Sequence, residues 1–255
     1  MLASERIDYI RKELNKKGVV NVTELEKVFK VSTETVRRDL LKMEELKLLK
    51  RVHGGAVSIN KMKSFETLTV RNKENYSLKL SLSKMACSTI LDGDVIAIDS
   101  GSTAIVFAEE LKKNFSNLTI VTHSLDVFNL LARHENFKVI LIAGHFLESE
   151  NAFYGDLVLD SLSKVRVSKA YIFPGAISLD GGACDFCQEL LQVQRKYLSV
   201  SSKIYLLADS TKIEKNALIQ LDSLKPEYTV ITDGNLLSET FNLYRENGID
   251  ILLGE

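Results

Sequence analysis

The sequence predicts an α/β protein in which a small winged helix-turn-helix domain precedes a larger, Rossmann-like α/β domain. Two observations predict this fold class. Apolar residues recur at helical spacing over the first 45 residues, and a short segment with two adjacent glycines follows them. From about residue 95 onward, apolar runs of strand length alternate with amphipathic runs of helix length, which is typical of a parallel sheet covered by helices on both faces.

A polar segment without strong periodicity separates the two predicted domains. We therefore expect a first domain over residues 1–57, a linker over 58–74 and a second domain over 75–255. Charge follows a similar division, since residues 1–60 contain 13 Lys and Arg against 9 Asp and Glu, whereas the remaining residues contain 20 against 25. A basic segment on a mildly acidic body indicates two functions on one chain.

Composition argues against several classes of protein. Hydrophobic residues make up 45 % of the chain and charged residues 26 %, as in an ordinary globular protein. No apolar run approaches the ~20 residues of a membrane span. The first residues lack the apolar core of a signal peptide, so we expect a cytoplasmic protein. Three cysteines are too few for a disulfide framework.

The first domain is predicted to contain three helices and a glycine hairpin. Gly18 ends the first helix, Asn21 or Thr23 can cap the second, and Ser32 is a good N-cap for the third. The predicted elements are a helix over 5–16, an extended piece over 20–22, a helix that carries an apolar face over 25–29, a helix over 33–45, and a β segment over 50–56.

This arrangement places the third helix in the major groove of DNA. Hydroxyls and guanidinium groups on its outer side can contact phosphates or base edges, and glycine in the wing lets the backbone approach a phosphate. The alternative is a small helical domain whose arginines are merely solvated. The candidate DNA contacts are Ser32, Thr33, Thr35, Arg37, Arg38, Lys50, Arg51, His53 and Gly54.

The second domain alternates strands with helices after a first helix over about 75–91. The predicted strands cover 95–98, 118–121, 139–142, 170–173, 204–207, 228–231 and 249–252. The helical stretches between them cover 103–113, 126–132, 156–165, 187–201 and 238–246.

The strongest candidate site in this domain lies between its first strand and the next helix. Asp99-Ser100-Gly101-Ser102-Thr103 combines a tight glycine turn, two hydroxyls and the free N–H groups of a helix start. Such a turn suits a phosphate or another anion. The alternative is a plain strand-to-helix turn with a hydroxyl cap.

Further polar clusters follow other predicted strands. Ligands of open parallel sheets bind outside the carboxyl ends of the strands, so these clusters can converge on one site. Lys212 could supply a cation for a phosphate, and aspartates could accept hydrogen bonds from sugar hydroxyls. Beyond the Asp99 turn, the candidate effector contacts are Thr122, His123, Ser124, Gly144, His145, Asp180, Asp209 and Lys212.

Several motifs together resemble the DeoR family of bacterial transcription regulators. In the first domain these are Val31-Ser32, Thr35-Val36-Arg37-Arg38-Asp39-Leu40 and Arg51-Val52-His53-Gly54-Gly55-Ala56. In the second domain these are the Asp-Ser-Gly-Ser-Thr turn and Leu207-Ala208-Asp209-Ser210-Thr211-Lys212. The resemblance therefore spans nearly the whole chain.

The resemblance implies a function and a second fold relationship. It implies that Arg37 and Arg38 contact DNA. A free carboxylate would be repelled by phosphates, so we expect Asp39 to hold an arginine in place rather than to contact DNA. The resemblance also implies an effector domain similar to ribose-5-phosphate isomerase, which binds a phosphorylated sugar or related metabolite, and a repressor of a carbohydrate-metabolism operon. We expect no cofactor. The expected partners are operator DNA, the effector and further copies of the chain in a homodimer or homotetramer, because one small head buries too little surface for tight recognition.

Three positions depart from the family pattern. His123 stands where the family usually has Asn, and His145 stands where it usually has Gly. The segment from Phe173 to Asp180 carries Pro174. The two histidines put the usual ligand in question.

Two alternatives concern chemistry. A sugar-phosphate isomerase fused to a DNA-binding head needs a carboxylate base, yet Pro174 and Ile177 occupy the corresponding places and only Asp180 remains. Cys184 and Cys187 have a spacing that can bind zinc or form a redox pair, but a second cysteine pair is lacking, so quiet thiols and no metal are expected.

Overall fold

The computed structural model describes residues 3–17, 19–46, 48–52, 54–58 and 68–255. The chain divides into two compact units. The first comprises Met1–Glu66 with Lys215–Leu218, and the second comprises Thr67–Glu214 with Ile219–Glu255. Each unit has its own hydrophobic core.

The first unit is a winged helix-turn-helix, as predicted. Its elements are α1 (Ala3–Lys17), β1 (Val19–Asn21), α2 (Val22–Phe29), α3 (Thr33–Glu45), β2 (Leu49–Val52) and β3 (Gly55–Ser58). The three strands form an antiparallel sheet in the order β1-β3-β2. The apolar faces of the helices meet in one buried cluster that includes Ile10, Leu25, Phe29, Val36, Leu40 and Met43.

Side chains define where the helices of this unit begin. Of the two candidates for the start of α2, Asn21 is the cap, since its Oδ1 accepts the Thr23 N–H at 2.8 Å. Ser32 caps α3, with its Oγ accepting the Thr35 N–H at 3.4 Å. Gly55 allows β3 to lie against β1, because a Cβ there would be 2.1 Å from the Val20 carbonyl oxygen.

The second unit contains helices α4 to α10 and strands β4 to β15. The helices are α4 (Leu68–Lys73), α5 (Tyr76–Cys87), α6 (Ser102–Asn114), α7 (Leu125–Leu131), α8 (Asp156–Ser163), α9 (Gln188–Val200) and α10 (Ser238–Glu246). The strands are β4 (Val95–Ile98), β5 (Leu118–Thr122), β6 (Phe137–Leu141), β7 (His145–Leu147), β8 (Ala152–Tyr154), β9 (Val167–Ile172), β10 (Ala176–Ser178), β11 (Gly182–Asp185), β12 (Ser201–Leu207), β13 (Ile219–Asp222), β14 (Tyr228–Asp233) and β15 (Asp250–Gly254). Short 3-10 turns cover Glu148–Glu150 and Ser210–Lys212.

Seven of these strands form one parallel sheet in the order β6-β5-β4-β9-β12-β14-β15. Alternate residues enter different cores: Ile96 and Ile98 of β4 pack with α5 and α6, whereas Ala97 packs with α8 and α9. The strand order reverses between β4 and β9. Ligands of such sheets bind at this reversal, outside the carboxyl ends of the strands.

The smaller strands and one helix were not predicted. The strands β7 and β8 form a hairpin, and β10, β11 and β13 form a separate antiparallel sheet. The missed strands have only three or four residues and lack a continuous apolar run as long as the one that marks the equally short β4. The helix α4 lies inside the segment expected to be a linker, and it has only one buried apolar residue, Leu68. None of the helices in the described ranges is long and apolar enough to cross a membrane.

Candidate functional site

The first candidate site is the outer face of α3 with the wing. Arg37 and Arg38 are exposed on α3, and the hydroxyl groups of Ser32 and Thr35 are 3.0 Å apart at its start. Thr33 is also exposed in this first turn. These groups are available to a DNA backbone or to base edges.

The wing offers exposed backbone and cations. Lys50 and Arg51 are exposed on β2, and Gly54 is exposed with a φ of +81°. Glu44 of α3 accepts the Arg51 N–H at 2.7 Å, which fixes the wing against the candidate recognition helix. The predicted contact His53 lies outside the described residues.

Asp39 is buried and binds an arginine of another helix. Arg6 of α1 donates from Nε to Oδ2 at 2.6 Å and from Nη2 to Oδ1 at 3.1 Å. The hydrogen bonds to Asp39 raise the pKa of Arg6 above its ordinary value. The carboxylate thus joins α1 to α3 and does not face outward, which agrees with the interpretation that it holds an arginine.

The second candidate site is the turn that follows β4 at the reversal of the sheet. Gly101 has a φ of +114°, a conformation that favours glycine, and α6 begins at the next residue. The N-cap residue of α6 is therefore Gly101, which has no side chain, and no hydroxyl group caps this helix. Ser100, Ser102 and Thr103 are buried around it.

Arg71 approaches this turn, and two further cations of the second unit, Lys79 and Lys212, lie close enough to influence one another. Arg71 Nη1 lies 3.9 Å from the place where a Cβ on Gly101 would be. Lys79 donates from Nζ to the carbonyl oxygen of Arg71 and, at 2.7 Å, to that of Glu74. Burial, together with the positive charges of Lys212 and Arg71, lowers the pKa of Lys79 to about 8, although Asp209 and Glu74 partly counteract the shift. A bound anion would relieve the repulsion between these neighbouring cations.

Asp99 is the centre of a buried hydrogen-bond network beside the turn. Its Oδ2 accepts the Phe173 N–H at 3.2 Å across the reversal point and the Gln194 amide at 3.0 Å. The same amide nitrogen donates to Asp185 Oδ2 at 2.9 Å. Burial raises the pKa of Asp99 to about 7 and also raises that of Asp185.

His123 completes this network from the end of β5. Its Nδ1 is hydrogen-bonded to the Tyr197 hydroxyl at 3.1 Å, and its Nε2 lies 3.6 Å from Asp99 Oδ1. Three buried atoms have no hydrogen-bond partner among the described residues: His123 Nε2, Asp99 Oδ1 and Gln194 Oε1. Burial lowers the pKa of His123 to about 3, so the ring is neutral at physiological pH.

Asp209 and Lys212 lie on the loop after β12. Asp209 Oδ1 accepts the Thr211 N–H at 3.2 Å, while its Oδ2 is buried without a partner among the residues that the structure describes. Asp233 accepts the Ser210 N–H at 2.6 Å and holds this loop in place. The charges of Lys212 act on both Lys79 and Asp185, so the loop faces the same region as the Gly101 turn.

Other predicted contacts serve the backbone or lie elsewhere. Thr122 Oγ1 donates to the Ile98 carbonyl at 2.8 Å, and Ser124 caps α7 by accepting the Val127 N–H at 3.3 Å. His145 is exposed beside the Tyr154 ring in the β7–β8 hairpin, which Gly144 precedes. Asp180 is exposed in the turn between β10 and β11. The hairpin and this turn carry no described contact with Asp99.

Six site residues were missed by sequence reasoning: Arg71, Lys79, Glu150, Asp185, Gln194 and Tyr197. Two of them had a usable signal, because Lys79 is three residues from Leu82 and Gln194 is four from Leu190, which places both on buried helix faces. Burial raises the pKa of the Cys187 thiol to about 12, which disfavours a reactive thiolate. No group of three or more potential metal ligands occurs in the described part of the chain.

A helix-turn-helix head and an α/β unit with a cationic turn define the class of ligand-responsive transcription regulators. Family profiles identify the particular family. The DeoR-like helix-turn-helix domain matches residues 6–62, and the DeoR C terminal sensor domain matches residues 74–234. The chain belongs to the DeoR family, which confirms the resemblance seen in the sequence.

Three similar proteins are named as repressors. The chain is 35 % identical over 239 residues to a lactose phosphotransferase system repressor of Staphylococcus epidermidis, covering 92 % of this chain and 94 % of the relative. It is 33 % identical to one from Staphylococcus aureus over 235 residues, covering 90 % and 91 %. A putative aga operon transcriptional repressor of Escherichia coli O157:H7 is 26 % identical, with coverage of 98 % and 93 %. The chain is therefore a regulator of transcription and not an isomerase.

Solved structures give fold likenesses only. Ribose 5 phosphate isomerase A from Neisseria gonorrhoeae has a TM-score of 0.40 and 18 % identity, covering 54 % of this chain and 53 % of that one. The eIF2B beta subunit from Chaetomium thermophilum has a TM-score of 0.39 and 15 % identity, covering 54 % and 39 %. The fold assignment rests on the sheet order given above.

Proposed function

We propose that this protein represses a carbohydrate-metabolism operon and is released from its operator when a phosphorylated sugar binds the second unit. The observation that carries the proposal is the cationic turn. Arg71 approaches the Gly101 turn at the reversal of the parallel sheet, Lys79 is hydrogen-bonded to the Arg71 carbonyl, and the charge of Lys212 acts on Lys79. The names of the relatives, which refer to lactose and aga operons, favour a carbohydrate signal.

In this proposal α3 reads the major groove. Arg37 and Arg38 contact phosphates or guanine edges, and Lys50 and Arg51 of the wing contact the backbone. Each small head buries too little surface for tight recognition on its own, so the operator is bound by a homodimer or homotetramer. A regulator that acts on bacterial DNA works in the cytoplasm.

The effector's phosphate occupies the Gly101 turn, where backbone N–H groups of α6 and the three cations stabilise its charge. Its hydroxyl groups reach the acceptor oxygens of Asp209 and, after local opening, those of Asp99. The ligand changes DNA affinity only by binding one conformation better than the other. A coupling of about 1–3 kcal/mol corresponds to a 5–150-fold change in operator affinity.

The proposal is tested in two stages on the purified full chain. Genomic fragments that the protein retains are sequenced, and a panel of sugar phosphates and their parent sugars is screened for a rise in melting temperature. We expect one or a few promoter fragments from carbohydrate genes and stabilisation by phosphorylated sugars alone. Equal stabilisation by parent sugars, or no enriched fragment, would contradict the proposal.

A further inference from the structure

The ion pair between Arg71 of α4 and Glu150 lies beside the proposed phosphate position. Arg71 Nη2 is 2.6 Å from both oxygens of Glu150, whose side chain is only 3 % exposed. Burial raises the pKa of Glu150, and the guanidinium counteracts this rise. A buried carboxylate requires such a partner, so the contact holds both side chains in place.

Glu150 is attached to a firmly bonded part of the fold. The next residue, Asn151, accepts the Leu125 N–H at 2.9 Å and donates from Nδ2 to Asp126 at 2.7 Å. Phe153 N–H donates to the His123 carbonyl at 2.9 Å. These bonds join the Glu150 segment to the loop after β5, the strand beside β4. Glu150 is therefore a fixed anchor for a side chain that comes from a helix of six residues.

The guanidinium of Arg71 spans the distance from this anchor to the turn. While Nη2 contacts Glu150, Nη1 lies 3.9 Å from the Cβ position of Gly101. A planar guanidinium presents its donors in a fixed fork, so fixing one nitrogen also fixes the direction of the other. Lys79 in turn binds the Arg71 carbonyl, which links the orientation of two of the three cations.

We infer that Glu150 is a positioning residue for the phosphate site: it aims Arg71 at the Gly101 turn. This inference rests on the proposed function, since it assumes that the turn binds phosphate. The inference predicts that loss of Glu150 changes phosphate affinity in the direction opposite to that expected from its charge alone. Removing a negative charge near an anion site strengthens anion binding by Coulomb's law, whereas losing the aim of Arg71 weakens it.

The test measures binding of inorganic phosphate and of glucose 6-phosphate to the full chain by calorimetry. Glu150→Gln keeps the shape of the side chain and removes its charge, and we expect affinity to fall about tenfold, as for a lost charge-assisted hydrogen bond. Glu150→Asp keeps the charge but shortens the reach, and we expect a similar loss. Exposed Glu148 of the same turn is the matched control, and Glu148→Gln should bind as the wild type does.

A double-mutant cycle separates positioning from a general structural role. In an Arg71→Ala background, Glu150→Gln should change phosphate affinity no further, because the residue that it aims is gone. Arg71→Lys retains the positive charge but not the planar guanidinium, so its phosphate affinity should fall. This variant provides the test if Glu150→Gln does not fold. Unchanged or tighter binding by Glu150→Gln would overturn the inference. A wild type that binds neither these probes nor any sugar phosphate of the panel described above would overturn the proposed function itself.

Discussion

At the scale of single residues, Asp99 and His123 form a buried pair whose pH responses oppose each other. Burial raises the pKa of Asp99 from 3.8 to about 7, so its contribution to stability falls as pH rises through that interval. Burial lowers the pKa of His123 from 6.5 to about 3, so the folded state loses stability as pH falls through that interval. Between about pH 4 and 6.5 the two slopes largely cancel, and replacing either residue should reveal the other.

His123→Asn is predicted to gain stability relative to the wild type on acidification. Below about pH 6.5 the unfolded wild type binds a proton at His123 that the folded state does not bind. The free energy of unfolding therefore falls by about 1.4 kcal/mol for each pH unit of acidification, and asparagine removes this loss. Between pH 6.5 and 4.5 the difference in unfolding free energy should move by about 2 kcal/mol in favour of the variant. Urea unfolding followed by tyrosine fluorescence measures it, since seven of the eight tyrosines belong to the second unit.

The control for this measurement is His145→Asn, at an exposed histidine of the same unit. It removes the same chemical group from a position in contact with solvent. A difference between His123→Asn and the wild type that stays constant from pH 4.5 to 7.5 would mean that His123 is not buried as a neutral ring.

At the scale of elements, a buried ion pair joins α1 to α3 in the first unit. Arg6 and Asp39 are each about nine-tenths buried as side chains, and the same two helices also meet through apolar contacts. The motif around Arg37 and Arg38 contains this aspartate, so the candidate recognition helix carries its own means of attachment. The proposed DNA contacts and this stabilising ion pair thus involve adjacent residues of α3.

Asp39→Ala is predicted to destabilise the first unit by about 3–5 kcal/mol, because it leaves Arg6 buried without its main partner. Hydrogen exchange followed by mass spectrometry should show loss of protection in residues 5–45 and none in the parallel sheet. Asp8→Ala, at an exposed acid of α1, is the matched control. Full protection of α3 in the Asp39 variant would contradict the assigned role of the pair.

Elements with strong periodicity or clear capping residues were predictable, and contacts between distant segments were not. The seven strands of the parallel sheet were predicted because each is a short run made mostly of apolar residues, as is typical of strands that are covered on both faces. The Asp99 turn was recognisable because all its residues are consecutive. Arg71 and Glu150 are 79 residues apart, and Arg71 lies in a polar segment whose pattern resembles a linker. Only folding brings such residues together.

The antiparallel strands β10, β11 and β13 show a second reason why parts of the fold could not be predicted from the sequence. Gly182 has a φ of +73°, and a Cβ there would lie 2.2 Å from the Asp222 carbonyl oxygen, so this hairpin depends on a glycine that faces a strand far along the chain. The glycine is visible in the sequence, but its neighbour is not. The buried amide of Gln194 similarly has a recognisable position on α9, while its two carboxylate partners are set by the tertiary fold.

At the scale of the whole molecule, the chain joins a basic DNA-binding unit to an acidic sensor unit. The overall charge of −1 therefore conceals the separation of the two functions. We expect DNA affinity to come from phosphate contacts of the first unit and to fall steeply with salt, because binding to phosphates releases counterions. The sensor unit changes that affinity only through a difference in binding free energy between two conformations.

Operator affinity is predicted to depend on Arg37 and Arg38 in both magnitude and salt slope. Replacing both with alanine removes two cations per head, so the logarithmic salt slope should decrease by about 2 per head as well as the affinity itself. Fluorescence anisotropy between 50 and 200 mM salt, with operator and unrelated DNA, measures both quantities. Wild-type affinity and slope in the double variant would show that α3 does not contact DNA.

The most direct test of the account measures the dissociation constant of operator DNA with and without a saturating sugar phosphate, for the wild type and for Ser102→Asp. The account predicts that the sugar phosphate weakens wild-type binding by about 5–150-fold. Ser102→Asp places a negative charge in the proposed phosphate position, so it should bind the operator and no longer respond to the sugar phosphate. A wild-type dissociation constant that stays the same with a bound sugar phosphate, or a full response in Ser102→Asp, would contradict the account.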